Sequence, residues 1–163
     1  MYKKIMVPLD GSELAECVLP HVEQFTSDCR VDTITFVRVV ETHSPVFLGE
    51  SLLSGEDLDN FIKCVNKGDE KVKSKAAGYL NEVVKRLKQG EVQFETKVLV
   101  GRVEDQILEY ADKNNFDLIL IATHGRSGVG RWVRGSIADR ILRGSRVPVL
   151  MVQSVCGIEE GKD

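Results

Sequence analysis

Five short apolar segments alternate with helical patterns along the chain, and this alternation limits the folds that the sequence can adopt. The segments have the length and the β-branched composition of buried strands, and helical spacing separates each from the next. They cover residues 2–9, 32–40, 92–100, 117–123 and 147–152. Because successive parallel strands need a crossover helix, the pattern predicts an α/β fold with three layers, α/β/α, around a five-stranded parallel sheet.

The helical patterns carry local signals that bear on their shape. Ser12 is a good N-cap for the first pattern, and Pro20 predicts a kink within that single helix. The second pattern covers residues 57–88 and places Val72 on its apolar face. Gly68 is expected to break or fray the first part of this long helix. Shorter helical patterns follow the third and fourth strands.

Length and composition predict one globular domain over residues 1–155 and a polar tail over residues 156–163. The net charge of −3 gives no reason to expect nucleic acid or an anionic membrane as a partner. No apolar run is long enough to span a membrane, and no signal-length apolar segment opens the chain, so we expect a cytoplasmic protein. Free thiols are expected at all four cysteines, whose spacing fits neither a metal site nor a disulfide scaffold.

Two loops that follow strands have unusual chemistry. Residues 8–12 read Pro-Leu-Asp-Gly-Ser, and residues 122–136 are rich in glycine and arginine and lead into a helix at Gly135-Ser136. Loop amides and the first-turn N–H groups of a helix lack backbone partners, so such a junction binds anions. If strands one and four are neighbours, both loops lie at one crevice. The sequence therefore predicts a site for the phosphates of a nucleotide.

The second loop also contains a spaced motif. Ala122-Thr123-His124-Gly125 is followed by nine residues, RSGVGRWVR, and then by Gly135-Ser136. In this pattern, and in VPLDGS at residues 7–12 and VPVLMV at residues 147–152, the chain resembles the universal stress protein family along almost its whole length. The family motif has a glycine, two residues, a glycine, nine residues and then Gly-Ser or Gly-Thr. Here Ala122 stands at the first glycine.

The resemblance implies a fold and an assembly. The fold is Rossmann-like, of the adenine nucleotide alpha hydrolase-like type, with the sheet order 3-2-1-4-5. Family members often form a homodimer through the fifth strand, which is residues 147–152 in this sequence. The implied ligand is ATP or AMP, with or without Mg²⁺, and an unknown protein partner is a further expectation.

The resemblance also assigns roles to residues of this sequence. The ribose hydroxyls would donate hydrogen bonds to Asp10. Separately from the resemblance, the positive charge of the arginine-rich segment indicates that Arg126 attracts the polyphosphate. Pro8, Leu9 and Val39 would line the adenine side; Ile121 and Ala122 would lie beneath the nucleotide; Gly125, Gly135, Ser136 and Ile137 would meet the phosphates.

Each of these assignments has a plainer alternative. Asp10 could cap the first helix, and Gly135-Ser136 could be an ordinary helix start. A methyl group at Ala122 strains the chain only if the backbone there is left-handed. His124 has no identifiable partner carboxylate, so we assign it a structural or ligand-contacting role. The arginines between 126 and 146 could form a solvated helix face, and Trp132 could cover the ligand or pack on a partner subunit.

Three functions are consistent with the sequence. The first is a regulatory or stress-response protein that binds ATP or AMP; the second is a dimeric interaction module without nucleotide affinity; the third is a slow Mg²⁺-dependent ATPase. The sequence lacks the phosphate-binding signature GxxxxGK[ST], the dinucleotide fingerprint GxGxxG at the first strand and any metal-spaced His/Cys set. Catalysis has no support in these motifs.

Overall fold

The computed structural model describes residues 2–28, 31–41, 56–87, 91–124 and 137–154. These residues contain a five-stranded sheet in the order 3-2-1-4-5, and every neighbouring pair of strands is parallel. The strands are Lys4–Pro8 (β1), Thr33–Val40 (β2), Gln93–Val100 (β3), Leu118–His124 (β4) and Val149–Ser154 (β5). The predicted Rossmann-like α/β fold and its strand order are confirmed.

Four α-helices connect the strands in the described parts of the chain. They are Leu19–Asp28 (α1), Glu56–Arg86 (α2), Val103–Lys113 (α3) and Ile137–Gly144 (α4). None of these helices is both long and apolar enough to cross a membrane.

The first helical region differs from the single kinked helix that Pro20 predicted. Residues Ala15–Val18 form a 3₁₀-helix, and the α-helix α1 begins directly after it at Leu19. Pro20 is therefore the second residue of an α-helix. The missing N–H of proline costs little there, because the first N–H groups of a helix have no partner within the helix. The change of helix type replaces the expected kink.

The long helix α2 also corrects two expectations. It continues through Gly68 without a break, and it places Val72 at the surface, 44% exposed. No described side chain between residues 66 and 75 is buried, whereas Ala76, Leu80 and Val83 are. A helix of 31 residues is about 46 Å long and an eight-residue strand about 26 Å. The helix is longer than the strands that it covers, which explains why the described side chains of residues 66–75 are not buried while Leu80 and Val83 pack in the core.

Successive residues of the strands divide the core between the two faces of the sheet, as the period of a β-strand requires. Ile5 and Val7 belong to one core cluster with residues of α1 and α2, and Met6 belongs to the other with residues of α3 and α4. On β4, Leu120 and Ile121 divide in the same way. Helices α1 and α2 therefore cover one face and α3 and α4 the other.

Strand β5 begins two residues later than its apolar sequence predicts. The N–H of Val147 donates to the hydroxyl of Ser145 at 3.0 Å, and that hydroxyl donates to the carbonyl of Val147 at 2.6 Å. These bonds close a local turn, so Val147 does not enter the ladder. The strand runs from Val149 to Ser154 and pairs only with β4 within the described residues.

Candidate functional site

A crevice of about 230 Å³ lies at the carboxyl ends of β1, β2 and β4. Its position follows from the winding of the chain. Strand β1 has β2 on one side and β4 on the other, and the helices change faces between these two halves of the sheet. Helix α1, which follows β1, lies on one face of the sheet, and α4, which follows β4, lies on the other. This is where parallel α/β sheets form ligand sites.

The crevice brings together most of the residues that the sequence singled out. Pro8, Leu9, Asp10, Val39, Ile121, Ala122 and Ile137 all line it. The loops after β1 and β4 were predicted to share one crevice if those strands were neighbours, and β1 and β4 are paired in register through Ile5 and Leu118. Gly125, Arg126, Gly135 and Ser136, with Trp132, lie outside the described residues.

Other lining residues were not predicted as site residues. They are Leu14, Ala15, Val37, Val103, Ile107, Thr123 and Ala138. Val37 could have been found, since it lies two residues before Val39 and alternate residues of a strand share a face. Val103 and Ile107 belong to a helix that follows the edge strand β3. No sequence signal places that helix beside β1, because only the tertiary fold brings them together.

The turn at Asp10 is shaped by hydrogen bonds to the main chain. Oδ1 of Asp10 accepts a hydrogen bond from the N–H of Ser12 at 2.8 Å, and Gly11 has a φ of +90°. The hydroxyl of Ser12 accepts one from the N–H of Ala15 at 3.1 Å. Ser12 thus caps the first helical turn, while Asp10 closes the turn before it. The carboxylate of Asp10 is exposed on the crevice wall.

Ala122 adopts a backbone that tolerates its methyl group. Among the non-glycine residues that the structure describes, only Asn115 has a positive φ, of 52°. Ala122 is an extended residue of β4, in register with Val152 of β5. The replacement of the first motif glycine therefore introduces no left-handed strain.

The crevice is mainly apolar along the described residues that line it. Asp10 and Thr123 are the polar side chains of that set. Apolar walls with a few polar groups favour a flat, partly polar ligand such as a nucleobase over a metal ion. Within the described residues, no group of three or more His, Cys, Asp or Glu side chains is arranged to hold a metal. The side chain of His124 lies outside the description.

Three arginines after the loop are engaged in ion pairs rather than directed at the crevice. Arg140 pairs with Glu104 at 2.6 Å, Arg143 with Asp139 at 3.1 Å and Arg146 with Asp112 at 3.7 Å. A hydrogen bond from its own backbone N–H is the largest cause that lowers the pKa of Glu104. The hydrogen bond from Arg140 lowers this pKa further. These pairs agree with a solvated helix face at this part of the arginine-rich segment.

A doubly wound parallel sheet with a crevice at its switch point defines a Rossmann-like α/β protein. The chain belongs to the universal stress protein family, whose sequence model matches residues 1–153.

Individual relatives agree with this assignment. Universal stress protein MJ0577 of Methanocaldococcus jannaschii is 29% identical over 164 residues, which cover 94% of this chain and 96% of the relative. The solved structure of MJ0577 superposes with a TM-score of 0.72 at 24% identity, over 96% of this chain and 99% of that one.

Two further solved structures share the fold. A universal stress protein in complex with cAMP has a TM-score of 0.63 at 20% identity, covering 93% of this chain and 97% of that one. A universal stress protein family protein from Arabidopsis thaliana with AMP bound has a TM-score of 0.56 at 17% identity. The superposition covers 93% of this chain and 91% of that one.

Proposed function

We propose that this chain binds an adenine nucleotide, ATP or AMP, in the crevice and acts as a regulatory, stress-response protein in the cytoplasm. The observation that carries the proposal is the convergence of Asp10 and Ile137 on one apolar crevice. Asp10 follows β1, and Ile137 begins α4. An acceptor for sugar hydroxyls and a helix start that can face phosphates therefore line the same space, which is suited to a base.

The base and the ribose are assigned to the β1–β2 side of the crevice. Val37 and Val39 project from the same face of β2, and Pro8 and Leu9 lie beside them. Apolar side chains in this arrangement can cover both faces of a purine. The carboxylate of Asp10 is acceptor-only when ionised, so two vicinal ribose hydroxyls can donate to it.

The phosphates are assigned to the start of α4. The first N–H groups of a helix have no partner within the helix and point outwards with partial positive charge. Ile137 is the first residue of α4 and lines the crevice. Only the sequence motif and its local charge support phosphate contacts by the remaining residues, Gly125, Arg126, Gly135 and Ser136.

Two structural neighbours support adenine as the base, since one is in complex with cAMP and the other has AMP bound. Both share the fold of this chain at low identity. The cytoplasmic location is proposed from the spacing of the four cysteines, which fits no disulfide scaffold.

The expected affinity is micromolar. A hydrogen bond to a charged group contributes about 1.5–3 kcal/mol, and a micromolar dissociation constant corresponds to about 8 kcal/mol. Three or four such bonds with burial of the base reach that value before the entropy of association is subtracted.

Isothermal titration calorimetry with AMP and ATP, with and without Mg²⁺, tests the proposal, with GMP as the control ligand. Asp10→Asn keeps an oxygen for the N–H of Ser12 but loses the charge, and we expect it to weaken AMP binding about tenfold. Asp112→Asn is the matched control, because Asp112 lies near the far end of α3 and pairs with Arg146. No heat and no thermal shift at millimolar nucleotide would reject the function.

We also propose a homodimer through the edge strand β5. This strand has one strand neighbour among the described residues, and Leu150 on it is 41% exposed. An apolar edge of this kind pairs readily with another chain. Sedimentation should therefore show a dimer that Leu150→Lys dissociates. Val100→Lys is the matched control, because Val100 is 39% exposed on the opposite edge strand β3. A wild-type monomer at high concentration would contradict the dimer.

A further inference from the structure

Arg38 lies next to the crevice but does not line it. It precedes Val39 on β2, and its side chain leaves the opposite face of the sheet, towards Tyr79 of α2. Its guanidinium also lies beside the turn that carries Asp10. A Cβ built on Gly11 would lie 3.0 Å from Nη1 and 3.1 Å from Nη2 of Arg38. Because Gly11 has no Cβ, the turn and the guanidinium can lie this close together.

The guanidinium is held by an aromatic ring rather than by a carboxylate. The carbon Cζ of Arg38 lies 5.1 Å from the ring centroid of Tyr79. Among the described residues, no carboxylate lies within ion-pair distance of Arg38. A planar guanidinium can stack on a ring with one part and support a backbone turn with another, which an ammonium group cannot do.

The ring is fixed in turn by two further residues. The hydroxyl of Tyr79 donates to Oε1 of Glu16 at 3.0 Å, and Arg86 donates to Oε2 of the same carboxylate at 2.8 Å. Burial, followed by the bond to Glu16, raises the pKa of the Tyr79 hydroxyl, so it keeps its proton and stays a donor. Glu16 belongs to the 3₁₀-helix that follows the Asp10 turn. The four side chains of Arg38, Tyr79, Glu16 and Arg86 form the Arg38 cluster.

The Arg38 cluster thus connects the Asp10 turn to helix α2 at two points. One connection runs from Gly11 through Arg38 to Tyr79, and the other runs from Glu16 to Tyr79 and Arg86. Both attach to the segment between residues 10 and 16, one on each side of Ser12. A segment fixed on both sides has little freedom to turn its carboxylate away from the crevice.

We propose that Arg38 is a positioning residue that fixes the Asp10 turn, so that the carboxylate of Asp10 is preorganised for the sugar hydroxyls of a bound nucleotide. The inference rests on the proposed function, because it concerns the ribose end of the same ligand. It predicts that Arg38 controls how strongly the protein distinguishes a ribonucleotide from an analogue without the sugar hydroxyls. Arg38 itself does not touch the ligand.

The test compares the affinities for AMP and 2′,3′-dideoxy-AMP by calorimetry. The wild-type protein is expected to prefer AMP about tenfold or more, the factor that a charge-assisted hydrogen bond contributes. Arg38→Met keeps the apolar stem and removes the guanidinium, and Arg38→Lys keeps the charge without the planar group. We expect both variants to reduce the preference to about threefold or less, with little change in the affinity for the dideoxy analogue. Arg146→Met is the matched control, since Arg146 is exposed and pairs with Asp112.

The outcomes separate this inference from the function on which it rests. If the wild type binds AMP and both Arg38→Lys and Arg38→Met keep its preference for AMP over the dideoxy analogue, the positioning role is wrong and the proposed function stands. Equal losses for both ligands also overturn it, because they indicate a general effect on folding. If Arg38→Met does not fold, Arg38→Lys decides the question. A wild-type protein that binds neither ligand overturns the proposed function and this inference together.

Discussion

The N–H of Leu9 donates a hydrogen bond to the carbonyl of Val37 at 2.8 Å, and this bond joins β1 and β2 at one side of the crevice. It extends the ladder one residue beyond the end of β1, so the backbone of Leu9 stays beside β2 before the chain turns at Asp10. The bond sets the separation between Leu9 and the wall formed by Val37 and Val39. The width of the proposed base site is therefore a property of the sheet.

Enlarging a side chain on that wall should exclude the ligand. Val39→Phe places a ring in a crevice of about 230 Å³, and we expect AMP affinity to fall about tenfold or more, because the ring competes with the base for the same space. Val72→Phe is the matched control, since Val72 is exposed on α2. Calorimetry should show a loss of AMP affinity in Val39→Phe alone. If Val39→Phe binds AMP as tightly as the wild type, the base does not lie against this wall.

Gly11→Ala should destabilise the fold. Gly11 has a φ of +90°, and its new methyl group would lie 3.0 Å from the guanidinium of Arg38. A non-glycine residue in this conformation costs about 1–3 kcal/mol. Urea denaturation should show a loss of that size in the free energy of unfolding.

The matched control for this glycine is Gly78→Ala. Gly78 lies within α2, and a Cβ there meets nothing within 4 Å. Alanine in a helix interior is favoured over glycine by about 1 kcal/mol, so this variant should be more stable than the wild type. If Gly11→Ala is as stable as the wild type or more stable, the conformational argument for Gly11 is wrong.

Ala122→Gly restores the family motif but should not improve binding. Ala122 is an extended residue of β4 and packs against the core. Removing its methyl group therefore relieves no backbone strain. Glycine in a strand costs about 0.5–1 kcal/mol. We expect lower stability in urea denaturation and an unchanged AMP affinity in calorimetry. A large gain in affinity would show that the methyl group obstructs the ligand.

Asp117 should stabilise the fold in a pH-dependent way. Its Oδ2 accepts hydrogen bonds from the N–H of Lys4 at 2.8 Å and of Lys3 at 2.9 Å, and these bonds lower the pKa of its carboxyl group below the ordinary 3.8. We expect Asp117→Asn to lose about 1 kcal/mol at pH 7, a reduced value because the group is exposed.

The sign of the pH dependence follows from the lowered pKa. The folded state holds the ionised form, so the contribution is complete above 3.8 and disappears as the pH falls through the folded-state pKa. Urea denaturation of the wild type and Asp117→Asn should therefore converge as the pH falls below that value. Asp105→Asn, which breaks an exposed 3.7 Å pair with Arg102, is the matched control and should change stability little at any pH. A constant difference between wild type and Asp117→Asn would exclude this mechanism.

The sequence by itself determined the class of fold and predicted where the candidate site lies along the chain. Strand β1 and strand β4 are recognisable as apolar runs because both faces of a parallel sheet are covered, and the loops after them stand out because Asp10 and the glycine motif are unusual there. The strand-to-helix alternation then requires the two loops to lie at the same edge of the sheet. These are local signals of period and composition.

Only the tertiary structure decided which residues complete the site. Val103 and Ile107 reach the crevice because β3 is an edge strand whose following helix crosses to the other face of the sheet. Arg38 lies beside Gly11 because β2 lies beside β1, and nothing in the sequence near either residue indicates that proximity. Periodicity reports which way a side chain points along its own element, whereas contacts between elements depend on how the elements pack.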